Sequence, residues 1–405
     1  MLLKSDIELA YATQQLDIAL KSNAISRKYL QQIDTNSSHI EIVSGVRRCG
    51  KSTLLLQLIQ QSFSDAAYFN FEEPQTFGFE TNDFNKLFEI MGNKRQAYFF
   101  DEIQTITGWE IFIRSLHDKR KKIFITSSNA SMLSKELGTR LTGRHLQHEL
   151  FPFSYSEFLD YLHLKNNADS FMNYLNTGGF PEYIKQRNKE ILHQLFRDIL
   201  YRDIAIRYSI KNSYELEHIG LFLLSNVAKE TSFNSLKKML NFASTTTVSD
   251  YVRWFQDSYL LFLVPRFSYS AKSMMINPKK VYAIDIGLIK ANTLSRTDDI
   301  GRLFENAVYL HFRRTKLTIN YFKEKYECDF ILFNDKKFAG AIQVCTHVNN
   351  ENKNREIKGL IEALNFFDHN QGTIITLNQE DTLIEQGKTI SLIPAWKYFI
   401  SDTGK

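Results

Sequence analysis

The stretch Gly45–Thr53, GVRRCGKST, joins an alternating run, SHIEIVSG (38–45), to a segment with helical apolar spacing, KSTLLLQLIQQSF (51–63). This junction constrains the fold more than any other feature of the chain. It fits the pattern G-x-x-x-x-G-K-[ST] between a strand and a helix. Gly45 and Gly50 let the backbone wrap an anion with its N–H groups, and the helix opening at Lys51 points its positive end at the same place. Four more strand-like runs follow: AAYFNFEE (66–73), AYFFDE (97–102), KKIFITSSN (121–129) and LQHELFPF (146–153). Helical stretches over about 81–92 and 109–120 separate them. Strands alternating with helices predict βαβ units and a parallel sheet, an α/β fold.

The phosphate-binding loop assigns its residues. Backbone from Gly45, Val46, Arg47, Arg48, Cys49 and Gly50 cradles phosphates. Lys51 reaches the β and γ phosphates, Ser52 serves as a Mg²⁺ ligand, and Thr53 follows on the helix. Asp101, closing an apolar strand, suits water-mediated Mg²⁺ binding, and Glu102 beside it suits polarising a lytic water. The next strand ends Thr126-Ser127-Ser128-Asn129; Asn129 is the expected γ-phosphate contact, with Ser127 next and turn chemistry as the competing reading. Arg140 and Arg144, in GTRLTGRH, are candidates to neutralise transition-state charge, and Arg47 and Arg48 lie inside the loop itself.

Composition bounds the rest. A length of 405 residues suggests two or three domains, and a net charge of +5 permits nucleic acid without demanding it. With 17 Gly and 6 Pro, collagen-like and low-complexity classes are excluded. Three cysteines, Cys49, Cys328 and Cys345, form no framework or metal-ligand spacing and suit a reducing compartment. No secretory leader or membrane span is readable, so a cytoplasmic protein is expected.

GVRRCGKSTLL, FFDEIQ followed by Trp109, ITSSNASML, LTGR, ELFPFSYSEFL and GGFPEYI, in this order, resemble a widespread prokaryotic family. Its members carry an N-terminal AAA-type ATPase domain and a C-terminal domain of unknown function with a restriction-endonuclease-like core. The resemblance runs from around Arg27 to about Asn378. It implies an ASCE-type P-loop fold with Gly45–Thr53 as Walker A, Asp101 and Glu102 as Walker B, and 126–129 as the sensor region. It also implies ATP as the nucleotide, with Mg²⁺.

The pattern changes after about 153. The expected division is an N-terminal helical segment (1–35), the ATPase core (36–152), a helical lid (153–212), a winged-helix-like segment (213–285) and a nuclease-like domain (286–405). In the winged-helix reading, Val248, Val252, Phe255 and Tyr259 form the buried face of a third helix. Thr246, Ser249, Asp250 and Arg253 face outward, and LFLVPRFSY pairs with KKVYAID. Lys237, Lys238, Arg266, Lys272, Lys279 and Lys280 are the candidate DNA-phosphate contacts. The C-terminal order of helix, strand, hairpin and strand resembles the PD-(D/E)xK nuclease core, with Glu305 and Asp329 as its acids. Gln343 replaces the second acid and Cys345 the lysine; Lys358 is the substitute lysine to consider. The function expected is Mg²⁺-dependent ATP hydrolysis controlling a DNA- or protein-binding C-terminal half. A nucleotide-gated switch with negligible turnover is the alternative and a DNA endonuclease the third option; a homo-oligomer is a candidate partner alongside DNA and protein.

Overall fold

The computed structural model describes residues 1–20, 25–130, 143–210, 212–293 and 299–401. The chain forms two compact units. The first comprises residues 1–151 with 257–259, and the second comprises 152–256 with 260–405.

The first unit is built on five parallel strands: β1 (Ile40–Ser44), β2 (Ala66–Asn70), β3 (Ala97–Asp101), β4 (Ile123–Ser127) and β5 (His145–Glu149). Their order is β2-β3-β4-β1-β5. The helices are α1 (Lys4–Leu20), α2 (Lys51–Ser62), α3 (Asp83–Met91) and α4 (Trp109–Asp118). β1, β3 and β4 are buried along their whole length; β3 reads as the continuous apolar run this implies, while β1 keeps its alternation because the buried Glu41 is hydrogen-bonded to Lys122 and His148. Ile42, Phe69, Phe100, Trp109 and Ile125 belong to one core cluster, while Phe99 stacks on Phe124 at 4.5 Å. The strand order sets the C-terminal ends of β3, β4 and β1 side by side. All five expected strands are present.

Residues 257–259 return to this unit: Ala130 N–H donates to the Asp257 carbonyl (2.7 Å), and Tyr259 Oη donates to Ser44 Oγ (2.7 Å). Tyr259 is buried as expected, but it lies beyond the helix in a left-handed conformation (φ 60°).

The second unit opens with α5 (Tyr155–Leu162), α6 (Ala168–Thr177), α7 (Pro181–Gln186) and α8 (Glu190–Asp198), the last running on as a π-helix to Ile206. The order then becomes α9 (Ser213–Ser225), β6 (Glu230–Thr231), α10 (Phe233–Met239), α11 (Thr245–Asp257), β7 (Leu261–Pro265), α12 (Ala271–Ile276) and β8 (Lys279–Ala283). β7 and β8 pair antiparallel, and the three-stranded sheet is ordered β6-β8-β7. Val248, Val252 and Phe255 are buried as the spacing required. After α13 (Ile286–Asn292) and α14 (Ile300–Arg313) comes a six-stranded mixed sheet. It contains β9 (Thr318–Lys323), β10 (Glu327–Asn334), β11 (Lys337–Val344), β12 (Gln371–Thr376), β13 (Asp381–Glu385) and β14 (Lys388–Pro394). Its order is β13-β14-β12-β11-β10-β9. α15 (Lys353–Phe366) packs Leu360 and Leu364 against Ile374, Ile390 and Leu392.

The glycine pair of GGFPEYI interlocks with the segment after β8. Asp285 caps α13 by accepting from Leu288 N–H (2.9 Å), and it also accepts from Gly179 N–H (2.6 Å). A Cβ on Gly178 would lie 2.4 Å from Asp285 Oδ1, one on Gly179 2.3 Å from the Phe153 carbonyl oxygen, and one on Gly287 2.1 Å from the Thr177 carbonyl oxygen.

Candidate nucleotide-binding site

The site is assembled where β1, β3 and β4 end. Gly45 N–H donates to the Ser127 carbonyl (3.1 Å), tying the loop to β4. A Cβ at Gly45 would stand 2.1 Å from the Leu150 carbonyl oxygen, so only glycine fits. Gly50 adopts φ 101°, a left-handed conformation that side chains resist, and it hands the chain directly to α2. Cys49 is buried, and burial pushes its thiol up. Arg48 is exposed; Arg47 is held by a two-pronged pair with Glu72, at 3.1 and 3.0 Å.

Lys51 is buried. Its ammonium donates to the Gly45 and Val46 carbonyls (3.1 and 3.3 Å) and pairs with Glu102 Oε1 at 3.0 Å. Burial works against the charge, but Glu102, Cys49 and Asp101 outweigh it and hold Lys51 above its ordinary value. Burial likewise disfavours the Glu102 carboxylate, and Lys51 and Gln104 outweigh it and hold Glu102 low. Glu102 has φ 52°, unusual for a residue with a side chain, and its N–H donates to Thr126 Oγ1 at 2.8 Å. Thr126 in turn donates to Asp101, so one hydroxyl sets both acids. Asp101 also accepts from Tyr68 Oη (2.7 Å) and from Ser52; burial, then Glu102, push its carboxyl up against these bonds. Gln104 donates to Glu102, while its Oε1 is buried and takes no hydrogen bond.

Three of these residues were not singled out from the sequence. Tyr68 sits one strand away, and Gln104 lies just past the acidic pair. Arg27 is buried and donates to the Cys49 carbonyl (2.7 Å) and the Phe151 carbonyl (2.8 Å), with its N–H on Gln57 Oε1 (3.1 Å). Nothing local in the sequence marks an arginine so far upstream as a brace for the loop.

Asn129 is buried beside Ser127, whose hydroxyl closes a turn by accepting from Asn129 N–H (3.0 Å) and donating to its carbonyl (3.3 Å). Arg140 lies outside the described residues. Arg144 does not join the site. It directly precedes β5, which runs parallel to β1 with His145 opposite Ile40, and so lies about 20 Å down the sheet from the loop. There it pairs with Asp118 at 2.7 Å.

In the second unit, Glu305 and Asp329 are brought together, with Lys280 between them. Lys280 is therefore buried, not a DNA-facing lysine. Gln343 turns away, its Oε1 accepting from Asp329 N–H (3.3 Å) and its Nε2 donating to Glu356 Oε2 (2.8 Å). Cys345 donates its thiol to the His347 carbonyl (3.3 Å), and Lys358 lies over the Tyr326 ring. Among the described residues, no group of three or more His, Cys, Asp or Glu is arranged to hold a metal ion, and no helix is long and apolar enough to cross a membrane.

Residues 37–159 match the AAA domain family, and residues 168–299 match a domain of unknown function, DUF8612. The uncharacterized protein MJ1544 of Methanocaldococcus jannaschii is 35% identical over 419 residues, spanning 95% of this chain and 93% of that protein. An uncharacterized protein of Haemophilus influenzae is 30% identical over 337 residues, spanning 76% of this chain and 83% of that protein. The chain belongs to the same family as these two proteins. Its N-terminal part is an AAA-type P-loop ATPase domain. Among solved structures, similarity extends to the Walker-type ATPase PABY2304 of Pyrococcus abyssi, at 13% identity and TM-score 0.42, over 66% of this chain and 96% of that one. It also extends to AMPPCP-bound DnaA from Aquifex aeolicus, at 15% identity and TM-score 0.29, over 56% of this chain and 85% of that one. Within this family of AAA-domain proteins, the domain of unknown function matched here ends at 299, before the six-stranded sheet.

Proposed function

We propose that this AAA-domain protein binds ATP with Mg²⁺, hydrolyses it to ADP and phosphate, and uses the nucleotide state to control DNA or protein binding by its second unit. The observation that carries the reading is the convergence of Lys51, Ser52, Asp101 and Glu102, from two chain segments, in one largely buried polar cluster. The donors fit the groups: a hydroxyl and a carboxylate are the hard oxygen ligands Mg²⁺ prefers, and the spare Gln104 acceptor suits a water beside Glu102. Mg²⁺, when bound, neutralises charge on the phosphate oxygens. Lys51 would then exchange Glu102 for phosphate, which frees Glu102 to orient the attacking water, with Asn129 reading the γ-phosphate. Arg27 and Gly50 keep the loop open for that anion.

A phosphate-release assay tests this. Wild-type turnover that disappears in Lys51→Ala supports hydrolysis; tight ATP binding with no turnover in the wild type favours the switch. Arg27 yields a second expectation. Buried hydrogen bonds to a charged group contribute about 1.5–3 kcal/mol each. Arg27→Ala should therefore weaken nucleotide binding by about tenfold or more, measured by titration with a fluorescent ATP analogue; an unchanged Kd removes the brace.

The order helix, strand, helix, helix, strand, short helix, strand over α9 to β8, with β7 and β8 paired antiparallel, supports a winged-helix reading of that part. Thr246 is exposed, but Arg253 is engaged by Asp250 at 2.9 Å, which weakens its claim as a phosphate contact. If the second unit binds DNA through phosphates, affinity should fall steeply as salt rises. A flat response selects a protein partner.

A further inference from the structure

We infer that Lys280 is the resident cation of the carboxylate cluster in the second unit, an ammonium standing where the nuclease-like reading would place a divalent metal. The inference departs from that reading rather than extending it, because the residues do not fit a metal. Lys280, on β8, is almost wholly enclosed, with 2% of its side chain exposed. Its Nζ meets three carboxylates: Glu327 Oε1 at 2.8 Å, Asp329 Oδ1 at 2.8 Å and Glu305 Oε1 at 3.0 Å. An ammonium has three N–H donors, and three acids receive them. These separations are those of charge-assisted hydrogen bonds, whereas Mg²⁺ draws oxygens to about 2.0–2.1 Å and Ca²⁺ to about 2.3–2.6 Å.

The remaining acceptor capacity is turned outward from the ammonium. Asp329 Oδ2 accepts from Val344 N–H (3.0 Å), and Glu327 Oε2 pairs with Lys323 (3.2 Å). Glu305 Oε1 also accepts from Tyr282 Oη (2.7 Å), and the ring of Tyr321 lies 5.8 Å from the ammonium. The substitutions at the other motif positions agree. Gln343 spends its amide on Asp329 backbone and on Glu356, and Cys345 points its thiol at a carbonyl. A metal site that lost its second acid and its lysine would leave Glu305 and Asp329 as uncompensated buried charges. A lysine delivered from another strand supplies the compensation, at the cost of the open coordination positions that metal-assisted hydrolysis needs.

The cluster also ties three elements together. Lys280 comes from the three-stranded sheet, Glu305 from α14, and Glu327 and Asp329 from the six-stranded sheet. It is thus an ionic rivet inside the second unit.

The test uses the full chain without nucleotide. Thermal unfolding is followed for the wild type, Lys280→Ala and Lys280→Ala/Glu305→Gln, each with and without millimolar Mn²⁺. Lys280→Ala is expected to melt several degrees lower than the wild type. Neutralising Glu305 in the same chain should recover part of that loss, which a mere packing role for Lys280 would not produce. Mn²⁺ should raise the midpoint of Lys280→Ala and leave the wild type unmoved. If Lys280→Ala does not fold, Mn²⁺ titration by electron paramagnetic resonance on the wild type and Asp329→Asn decides. Identical binding in the two supports a site closed to metal. A wild-type Mn²⁺ site lost in Asp329→Asn overturns the inference, as does a Lys280→Ala protein helped by neither Mn²⁺ nor Glu305→Gln.

Discussion

Glu102→Gln is expected to slow phosphate release by about 10²–10⁴-fold, the range of a lost general base, while nucleotide affinity holds or rises. The sign of the affinity change follows from the resting contacts. Glu102 sits 3.0 Å from the Lys51 ammonium, which must be shared with the incoming phosphates. An amide of the same length leaves the backbone bond from residue 102 to Thr126 in place but competes more weakly for the lysine. Single-turnover phosphate release measures the first effect and titration with an ATP analogue the second. Turnover unchanged in Glu102→Gln would remove this carboxylate from the chemistry. Lower affinity instead would mean that the Lys51–Glu102 pair supports the bound state. The left-handed backbone at Glu102 sharpens the comparison: Glu102→Gly should relieve local strain, yet it removes the carboxylate and should be as slow.

Gly179→Ala should be among the most damaging changes in the second unit. Its added carbon would sit 2.3 Å from the Phe153 carbonyl oxygen and 2.9 Å from Phe153 N, both of them backbone. Neither can swing aside like a flexible side chain. The neighbouring N–H bond to Asp285 would be strained as well, and with it the cap of α13. Overpacking of this kind costs about 1–3 kcal/mol, and the lost backbone bond adds about 1 kcal/mol more. A domain of this size shifts by about 2–4 °C per kcal/mol, so the midpoint should fall by about 5–15 °C. Gly340→Ala is the control, because a carbon there meets nothing within 4 Å. If the two variants melt alike, the interlock contributes nothing particular.

The parallel core was legible because its central strands β1, β3 and β4 are fully buried and the runs are punctuated by glycine, acid and proline. The phosphate loop was legible because Gly45 and Gly50 answer to backbone geometry alone. What stayed hidden depends on residues meeting across long sequence separations. Arg27 braces Cys49 from the far side of a segment that carries no motif. Lys280 read as a surface lysine because nothing near it in sequence shows that Glu305, Glu327 and Asp329 converge on it. Arg144 failed for a related reason: its sequence neighbourhood suggested a catalytic arginine, while the parallel register of β5 sends it to the other end of the sheet. The hairpin β13–β14 was available from Gln386-Gly387 between two alternating runs, and both residues take positive φ, 51° and 76°.

The three-residue return at 257–259 has a practical consequence for anyone dissecting this protein. A fragment ending at residue 151 would contain every Walker residue but would lack Asp257, the acceptor for Ala130 N–H, and Tyr259, the donor to Ser44 one residue before the phosphate loop. The compact unit that holds the Walker residues is therefore made of two stretches of the chain. Its boundaries cannot be reproduced by a single cut, and an excised N-terminal piece with poor nucleotide binding would be reporting a missing plug rather than a weak site.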